Sequence, residues 1–132
     1  MRDGDLLLDT NIVVAFFRHD PGAEGAMQDA ARILIPVIVV GELLFGALLG
    51  NQTERERARI EALLEKGEVL DCDQDTAEHY AEVRDELRRQ GRPIPDNDVW
   101  IAALARQYRV TLASRDRHFD AVSGVQRVQC HG

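Results

Sequence analysis

The sequence contains little cysteine, since Cys72 and Cys130 are its only two and they lie far apart. This excludes a disulfide framework and a zinc site built on closely spaced thiolate pairs, and it favours reduced thiols. The segment from Met1 to Asp5 also lacks the apolar stretch of a secretory signal peptide. We therefore expect a cytoplasmic protein.

A net positive charge is missing as well, because the formal charge is −7. This balance argues against a nucleic-acid-binding protein, since contacts to phosphate need basic side chains. Fifteen of the 16 basic residues are arginines, however, and arginine suits bidentate phosphate contacts. Divalent cations bound to clustered carboxylates also make such a cluster less negative. The charge therefore leaves nucleic-acid binding open.

The apolar run over residues 33–50 is too short and too interrupted for a membrane-spanning helix. A span needs about 20 apolar residues, and a central carboxylate such as Glu42 costs about 2.5–3.5 kcal/mol. Pro36 divides the run. We therefore expect a buried strand at 33–35 and a buried helix at Val37–Leu49.

Short apolar runs alternate with amphipathic segments along the chain, without an internal repeat or a low-complexity linker. The pattern predicts a single domain over residues 1–132, of the α/β class, with a mainly parallel central sheet flanked by helices. Strands are predicted at residues 6–8, 33–35, 68–71, 110–113 and 125–128. Helices are predicted at residues 12–17, 21–32, 37–49, 53–66, 76–90 and 99–108, with a turn at 115–119.

Capping residues predict where several helices begin. Asp20, which precedes a proline, opens the second helix, and Thr53 begins a capping-box pattern. Asp73 or Asp75 is expected to cap the long charged helix, and Asp96 the helix that follows it.

Three acidic residues stand where a parallel sheet gathers its ligands. Asp9 follows the first strand, Asp116 follows the strand that ends at Ala113, and Asp98 opens the helix leading into that strand. Open α/β sheets bind ligands outside the carboxyl ends of their strands. Each acid also has a purely structural interpretation: a helix cap for Asp9, a favourable place in the helix dipole for Asp98 and an Asx-turn for Asp116.

Glu42 is harder to explain as a structural residue. Its helical neighbours three and four positions away are Ile38, Val39, Phe45 and Gly46, so its carboxylate faces an apolar surface. Burial of an unpaired carboxylate is costly, which leaves a metal ion or a salt bridge to an arginine as its partner. Together the four acids indicate Mg²⁺ or Mn²⁺, ions that promote in-line displacement at phosphorus such as phosphodiester hydrolysis.

Three segments follow one another in the chain: LLLDTNI at 6–12, PVIVVGELLFGA at 36–47 and GRPIPDNDVWIAA at 91–103. In this order they resemble the motifs of PIN-domain nucleases, and above all the VapC toxins of bacterial toxin–antitoxin pairs. The resemblance covers nearly the whole chain. It implies a three-layer PIN-like fold and a metal-dependent endoribonuclease that hydrolyses RNA phosphodiester bonds to leave 5′-phosphate ends.

The resemblance also assigns roles to residues. It implies a catalytic and metal-binding quartet of Asp9, Glu42, Asp98 and Asp116, with Thr10 and Ser114 orienting ligands or water. Asp120 competes with Asp116 for the fourth place, because the last motif of the family often carries Thr-Asn where this chain has Ala113-Ser114.

The partners implied by the resemblance are RNA, a cognate VapB-like antitoxin that blocks the site with its C-terminal segment, and a second copy of the chain. A homodimer also agrees with the apolar surface expected for the helices at 37–49 and 99–108. Arg84, Arg88 and Arg92 are candidate RNA contacts. The alternative is a solvated helix face whose arginines pair with Asp85 and Glu86.

Other functional classes fit the residues less well. A receiver-like or phosphatase-like Mg²⁺ domain needs a lysine at a strand end or an Asp-x-Asp motif, but Lys66, the only lysine, lies elsewhere. A dinucleotide-binding module needs a glycine-rich turn where Asp9 to Asn11 stand. A catalytically silent regulatory RNA-binding module is expected to lack one of the four acids. The histidines show no ligand spacing and are expected on the surface, with a phosphate contact considered only for His118.

Overall fold

The computed structural model describes residues 3–131. Its strands are β1 (Asp5–Leu8), β2 (Arg32–Pro36), β3 (Glu68–Leu70), β4 (Thr111–Ala113) and β5 (Arg127–Val128). Its helices are α1 (Thr10–Phe17), α2 (Pro21–Asp29), α3 (Val37–Leu49), α4 (Thr53–Lys66), α5 (Gln74–Gln90) and α6 (Asp96–Tyr108), and a 3-10 helix covers Arg117–Ala121. The strands form one parallel sheet in the order β3-β2-β1-β4-β5. The predicted α/β class with a parallel central sheet flanked by helices is confirmed.

The central position of β1 follows from its composition, because its leucines are buried on both faces of the sheet. Leu7 pairs with Leu34 on one side and with Leu112 on the other. The same register sets Leu8 beside Ala113. The residues that follow β1 and β4 therefore leave the sheet at one edge.

Two of the predicted helix caps are confirmed. The carboxylate of Asp20 accepts a hydrogen bond of 3.0 Å from the backbone N–H of Ala23. Asp73 rather than Asp75 caps α5, through a reciprocal pair of hydrogen bonds with Thr76. Such caps satisfy N–H groups that have no partner inside the helix.

The caps predicted at Thr53 and Asp96 are wrong. Thr53 is the first residue of α4, and its hydroxyl donates 3.0 Å to the carbonyl of Ala47, at the end of α3. Asp96 is likewise the first residue of α6, and its carboxylate accepts a hydrogen bond from the hydroxyl of Tyr80 on α5. Both side chains join neighbouring helices, a role that local sequence patterns do not reveal.

The second helix ends at Asp29, three residues before the predicted end, because Arg32 begins β2. The Arg32 guanidinium lies 2.7 Å from the buried carboxylate of Asp5 and 3.1 Å from Glu68. These contacts join the first residues of three neighbouring strands. Smaller boundary differences occur at α1, α5 and α6, at all five strands, and at the turn predicted at 115–119, which is the 3-10 helix.

Apolar side chains remain exposed on α3. Phe45, Leu48 and Leu49 are 61%, 64% and 72% exposed. The apolar residues of α6 from Ile101 to Ala105 are buried instead. The expectation that apolar side chains remain exposed on both helices therefore holds for α3 and is wrong for α6. Within residues 3–131, no helix combines the length and apolar character that a membrane span requires.

Candidate metal centre

An open cleft of about 830 Å³ lies where the chain leaves β1 and β4. Its walls include all four predicted acids, Asp9, Glu42, Asp98 and Asp116. The end of the first strand, α3, the start of α6 and the loop after β4 each contribute one of them. The fold thus brings together residues that are more than a hundred positions apart in the sequence.

Asp9 is the most buried of these acids, with 5% of its surface exposed. Its Oδ1 accepts a hydrogen bond of 2.8 Å from the backbone N–H of Thr10. Asp9 therefore caps α1, which is the structural role that the sequence also allowed for it. Its Oδ2 accepts a hydrogen bond of 2.7 Å from the hydroxyl of Ser114. Burial raises the pKa of Asp9, and the hydrogen bonds from Ser114 and Thr10 counteract that rise.

Ser114 joins the two strands that carry the cleft. Its side chain is fully buried, and its hydroxyl also accepts a hydrogen bond of 3.0 Å from the backbone N–H of Asp116. Asn11 completes this network, because its amide lies 3.3 Å from Asp9 and 3.4 Å from Ser114 and its carbonyl accepts from the backbone N–H of Arg115. Asn11 did not figure among the predicted site residues, although it belongs to the Asp-Thr-Asn motif.

Glu42 is half-buried and reaches the cleft from α3. Its Oε1 accepts a hydrogen bond of 3.0 Å from the hydroxyl of Thr10. Among residues 3–131, no arginine forms an ion pair with it, so the salt bridge left open by the sequence is absent from the described chain. The carboxylate is held at the cleft by a neutral donor and remains available to a cation.

Asp98 lies in the first turn of α6 and is 17% exposed. Its pKa is raised to about 6 from 3.8, first because its carboxylate is buried and next because the charge of Asp9 is close. The charges of Asp116 and Glu42 raise it further, whereas His118 lowers it. A carboxylate with such a pKa is unfavourably placed when ionised, and a bound divalent cation would reverse this effect.

His118 is a member of the cluster that the sequence patterns missed. Its Nε2 lies 2.9 Å from Oδ2 of Asp98, and its Nδ1 lies 2.8 Å from Oδ1 of Asp116. The histidine was expected on the surface, and its side chain is partly buried there, with 25% exposed. The one available signal was its position two residues after Asp116, which alone predicts no contact with Asp98.

The two candidates for the fourth acid occupy different surroundings. Asp116 lines the cleft and is 45% exposed. Asp120 lies outside the cleft lining and forms a two-pronged contact of 2.8 and 2.9 Å with the guanidinium of Arg127. That arginine lowers the pKa of Asp120. The geometry favours Asp116 as the residue that faces a ligand in the cleft.

The predicted RNA-contact arginines lie outside the cleft. Arg84 and Arg88 line a separate hollow of about 710 Å³ between α5 and α6. Arg88 pairs with Asp85 at 2.7 Å, as expected if this helix face is solvated and its arginines pair with neighbouring acids. Arg84 contacts the hydroxyl of Tyr80 instead. Arg92 lies nearer the acids, in a small hollow that His118 also lines.

Arg18 and Arg115 are the cleft's own basic residues, and neither was predicted as part of the site. Arg115 is held by the carboxylate of Asp20 at 2.6 Å and by the carbonyl of Cys130 at 3.1 Å. Arg18, at the end of α1, is exposed. One arginine is therefore fixed in the wall, while the other is free to approach an anionic ligand.

The donor set fits a divalent cation. Four carboxylates face one cleft, and ligand atoms of Asp98, Asp116 and His118 all lie within 4.8 Å of one another. Hard divalent cations take oxygen ligands of this kind. Burial first, and next the charge of Asp9, raises the pKa of Asp98, so its ionised carboxylate is unfavourably placed without a cation.

Comparison with known proteins gives concordant matches. A family model described as PIN domain matches residues 6–125. The "tRNA(fMet)-specific endonuclease VapC" of Shigella flexneri is 32% identical over 123 residues, covering 91% of this chain and 93% of that protein. "Ribonuclease VapC2" of Haemophilus influenzae is 35% identical over 119 residues, covering 88% and 90%. The structure of VapBC2 from Rickettsia felis bound to a promoter DNA fragment matches with a TM-score of 0.88 and 26% identity, covering 94% of this chain and 97% of that chain.

Proposed function

Since the chain belongs to the PIN-domain family, we propose that it is a metal-dependent endoribonuclease that hydrolyses RNA phosphodiester bonds and leaves 5′-phosphate ends. It acts as the toxin of a toxin–antitoxin pair. The observation that carries the proposal is the single cleft in which four carboxylates from distant parts of the chain meet. The names of the Shigella and Haemophilus relatives support the reaction.

In this proposal the metal, Mg²⁺ or Mn²⁺, is held by Asp9, Glu42, Asp98 and Asp116. When bound, the ion lowers the pKa of a water molecule and stabilises the attacking and leaving oxygens of the phosphodiester. Ser114 and Thr10 act as positioning residues, because their hydroxyls fix one oxygen of Asp9 and one oxygen of Glu42. Oδ1 of Asp9 also accepts from the backbone N–H of Thr10, and it and Oε1 of Glu42 each keep a further lone pair for a ligand.

Recognition of RNA is assigned to basic residues around the cleft. Arg18 lines the cleft and Arg92 lines the small hollow that His118 also lines, and this position supports the proposal that both contact RNA phosphates. Arg84 and Arg88 lie farther along α5 and would contact only a longer RNA. The first RNA to assay is transfer RNA, the substrate named for the Shigella relative.

A cognate VapB-like antitoxin is the proposed protein partner, in keeping with the VapBC complex among the matching structures. A hollow of about 390 Å³ shares Thr10, Arg18 and Glu42 with the cleft and continues to Glu56 and Arg59 of α4. A C-terminal antitoxin segment that lies in this hollow would reach Glu42 and block the cleft.

The exposed apolar side chains of α3 are the proposed contact in a homodimer.

The test is to sequence the 5′-ends of cellular RNA after brief expression of the chain. New 5′-phosphate ends should appear with wild type and vanish with Asp9→Asn, which removes a carboxylate charge at constant volume. Asp116→Asn should also be inactive, whereas Asp120→Asn, outside the cleft, should cut as wild type does. Identical ends from wild type and Asp9→Asn would contradict the proposal.

A further inference from the structure

The imidazole of His118 lies between two carboxylates of the cleft. Its Nε2 is 2.9 Å from Asp98 and its Nδ1 is 2.8 Å from Asp116. Although the ring is partly exposed, Nε2 itself is shielded from solvent, and within residues 3–131 no contact of this atom, that to Asp98 included, has the geometry of a hydrogen bond. The packing of the ring against Phe119, with centroids 4.7 Å apart, restricts its rotation.

The contact to Asp116 determines which ring nitrogen can bind a cation. Histidines that bind metals through one nitrogen usually donate the N–H of the other to a carboxylate, which fixes the tautomer and the direction of the free lone pair. Here Nδ1 has that carboxylate, so the lone pair of Nε2 is directed to the side of Asp98. In the tautomer that donates Nδ1–H to Asp116, Nε2 and the Asp98 carboxylate oxygen are both acceptors, so they repel at 2.9 Å unless a proton or a metal cation lies between them.

The separation of these two atoms suits an ion. An octahedral ion with ligands at about 2.1 Å holds neighbouring ligands about 3 Å apart, and Nε2 and Oδ2 of Asp98 are 2.9 Å apart. Asp116 belongs to the same cluster, because one ligand atom from each of Asp98, Asp116 and His118 lies within 4.8 Å of the others.

We propose that Nε2 of His118 is a ligand of the metal ion that Asp98 holds, with Asp116 orienting the imidazole. This inference rests on the proposed function, because it concerns the same metal centre. An imidazole ligand also affects which ion binds, since transition metals accept nitrogen ligands whereas Mg²⁺ prefers oxygens. The site should therefore bind Mn²⁺ more tightly than Mg²⁺.

The test is pulsed electron paramagnetic resonance on the full-length protein loaded with Mn²⁺ near neutral pH. A directly bound imidazole produces electron spin echo modulation from its nitrogen nuclei, and isotopically labelled histidine shifts these frequencies. We expect the histidine modulation in wild type and its loss in His118→Gln. His19→Gln, which alters the histidine that lines the cleft itself, and His131→Gln, which alters an exposed histidine, should keep it.

The outcomes separate the two proposals. Mn²⁺ bound by wild type without histidine modulation would overturn the ligand assignment and leave the carboxylate centre intact. A lack of Mn²⁺ binding by wild type would contradict the proposed function as well. Because the absence of modulation is read from the wild type, this refuting outcome does not depend on the folding of any variant.

Calorimetric titration with Mn²⁺ alone and with Mg²⁺ alone gives a second measurement. Loss of a ligand or of its orienting partner typically weakens metal binding about 10–100-fold. We expect His118→Gln to weaken Mn²⁺ binding by at least about tenfold, and Mg²⁺ binding by much less. Equal weakening for the two ions would show that His118 acts through packing or charge, against the proposal.

Discussion

The replacement Asp98→Asn should make the metal-free protein more stable, although it removes a proposed metal ligand. The pKa of Asp98 is about 6 rather than 3.8, first because its carboxylate is buried and next because Asp9 is close. At neutral pH the folded protein therefore holds an ionised carboxylate in an unfavourable place. Asparagine removes that charge with almost no change in volume.

The size of the effect follows from the difference between the two pKa values. The change from 3.8 to about 6 corresponds to about 3 kcal/mol, at about 1.36 kcal/mol per pKa unit. Because the side chain keeps some contact with solvent, we expect about 1–2 kcal/mol in practice. For a domain of this size, that gain raises the melting temperature by about 4–8 °C.

The effect should depend on pH in a defined direction. Between about pH 6 and 3.8 the folded protein binds a proton at Asp98 that the unfolded chain does not bind. The wild type therefore becomes more stable as the pH falls through that window, because Asp98 takes up a proton. Above pH 6 the ionised Asp98 lowers the free energy of unfolding by its full amount. The advantage of Asp98→Asn should be full at about pH 8 and reduced to about half at about pH 5. Carboxylates with lowered pKa values, such as Asp20 and Asp120, affect both proteins equally.

The assay is thermal unfolding with chelator or with excess Mn²⁺ at both pH values. Excess metal at about 100 times its dissociation constant should stabilise the wild type by about 2.7 kcal/mol, and should stabilise Asp98→Asn much less. Asp96→Asn is the matched control. Asp96 lies in the same helical turn as Asp98, but its carboxylate is exposed and contacts Tyr80. It should show no gain. A wild type that melts above Asp98→Asn in chelator at high pH, and gains nothing from metal, would refute the reasoning.

Further predictions concern activity and assembly. Asp98→Asn should abolish RNA cleavage in Mn²⁺ while circular dichroism shows an intact fold, and wild-type cutting by this variant would disprove its role. Ser114→Ala leaves Asp9 without its shortest hydrogen bond and should reduce cleavage more than thermal stability, whereas the reverse would indicate a structural role. The chain should be a homodimer by light scattering at about micromolar concentration, and Leu48→Arg on exposed α3 should make it monomeric. A monomeric wild type would contradict the assignment of that surface.

The sequence predicts the class of fold and the position of the acids because both follow from local patterns. Apolar runs identify buried strands, and ligands gather where parallel strands end. The order of strands and helices along the chain is therefore enough to place Asp9, Asp98 and Asp116 near one another. It is not enough to choose Asp116 over Asp120, because that choice depends on the contact between Asp120 and Arg127.

The features that the sequence did not predict depend on contacts between distant segments. His118 contacts Asp98 across twenty positions, and spacing rules for metal sites detect ligands only when they recur at short intervals. The local pattern assigns Arg32 to a helix, because its ion pair with Asp5 on another strand is invisible locally. Tertiary contacts of this kind override local preference.

The four acids are divided between two halves of the chain. Asp9 and Glu42 precede the exposed turn at 50–52, and Asp98 and Asp116 follow it. The halves associate through the pairing of β1 with β4 and of β2 with β3. A chain cut in this turn would yield two pieces with two acids each, inactive when apart. Fused to proteins that bind one another, the pieces would form a split nuclease whose activity reports their association in a living cell.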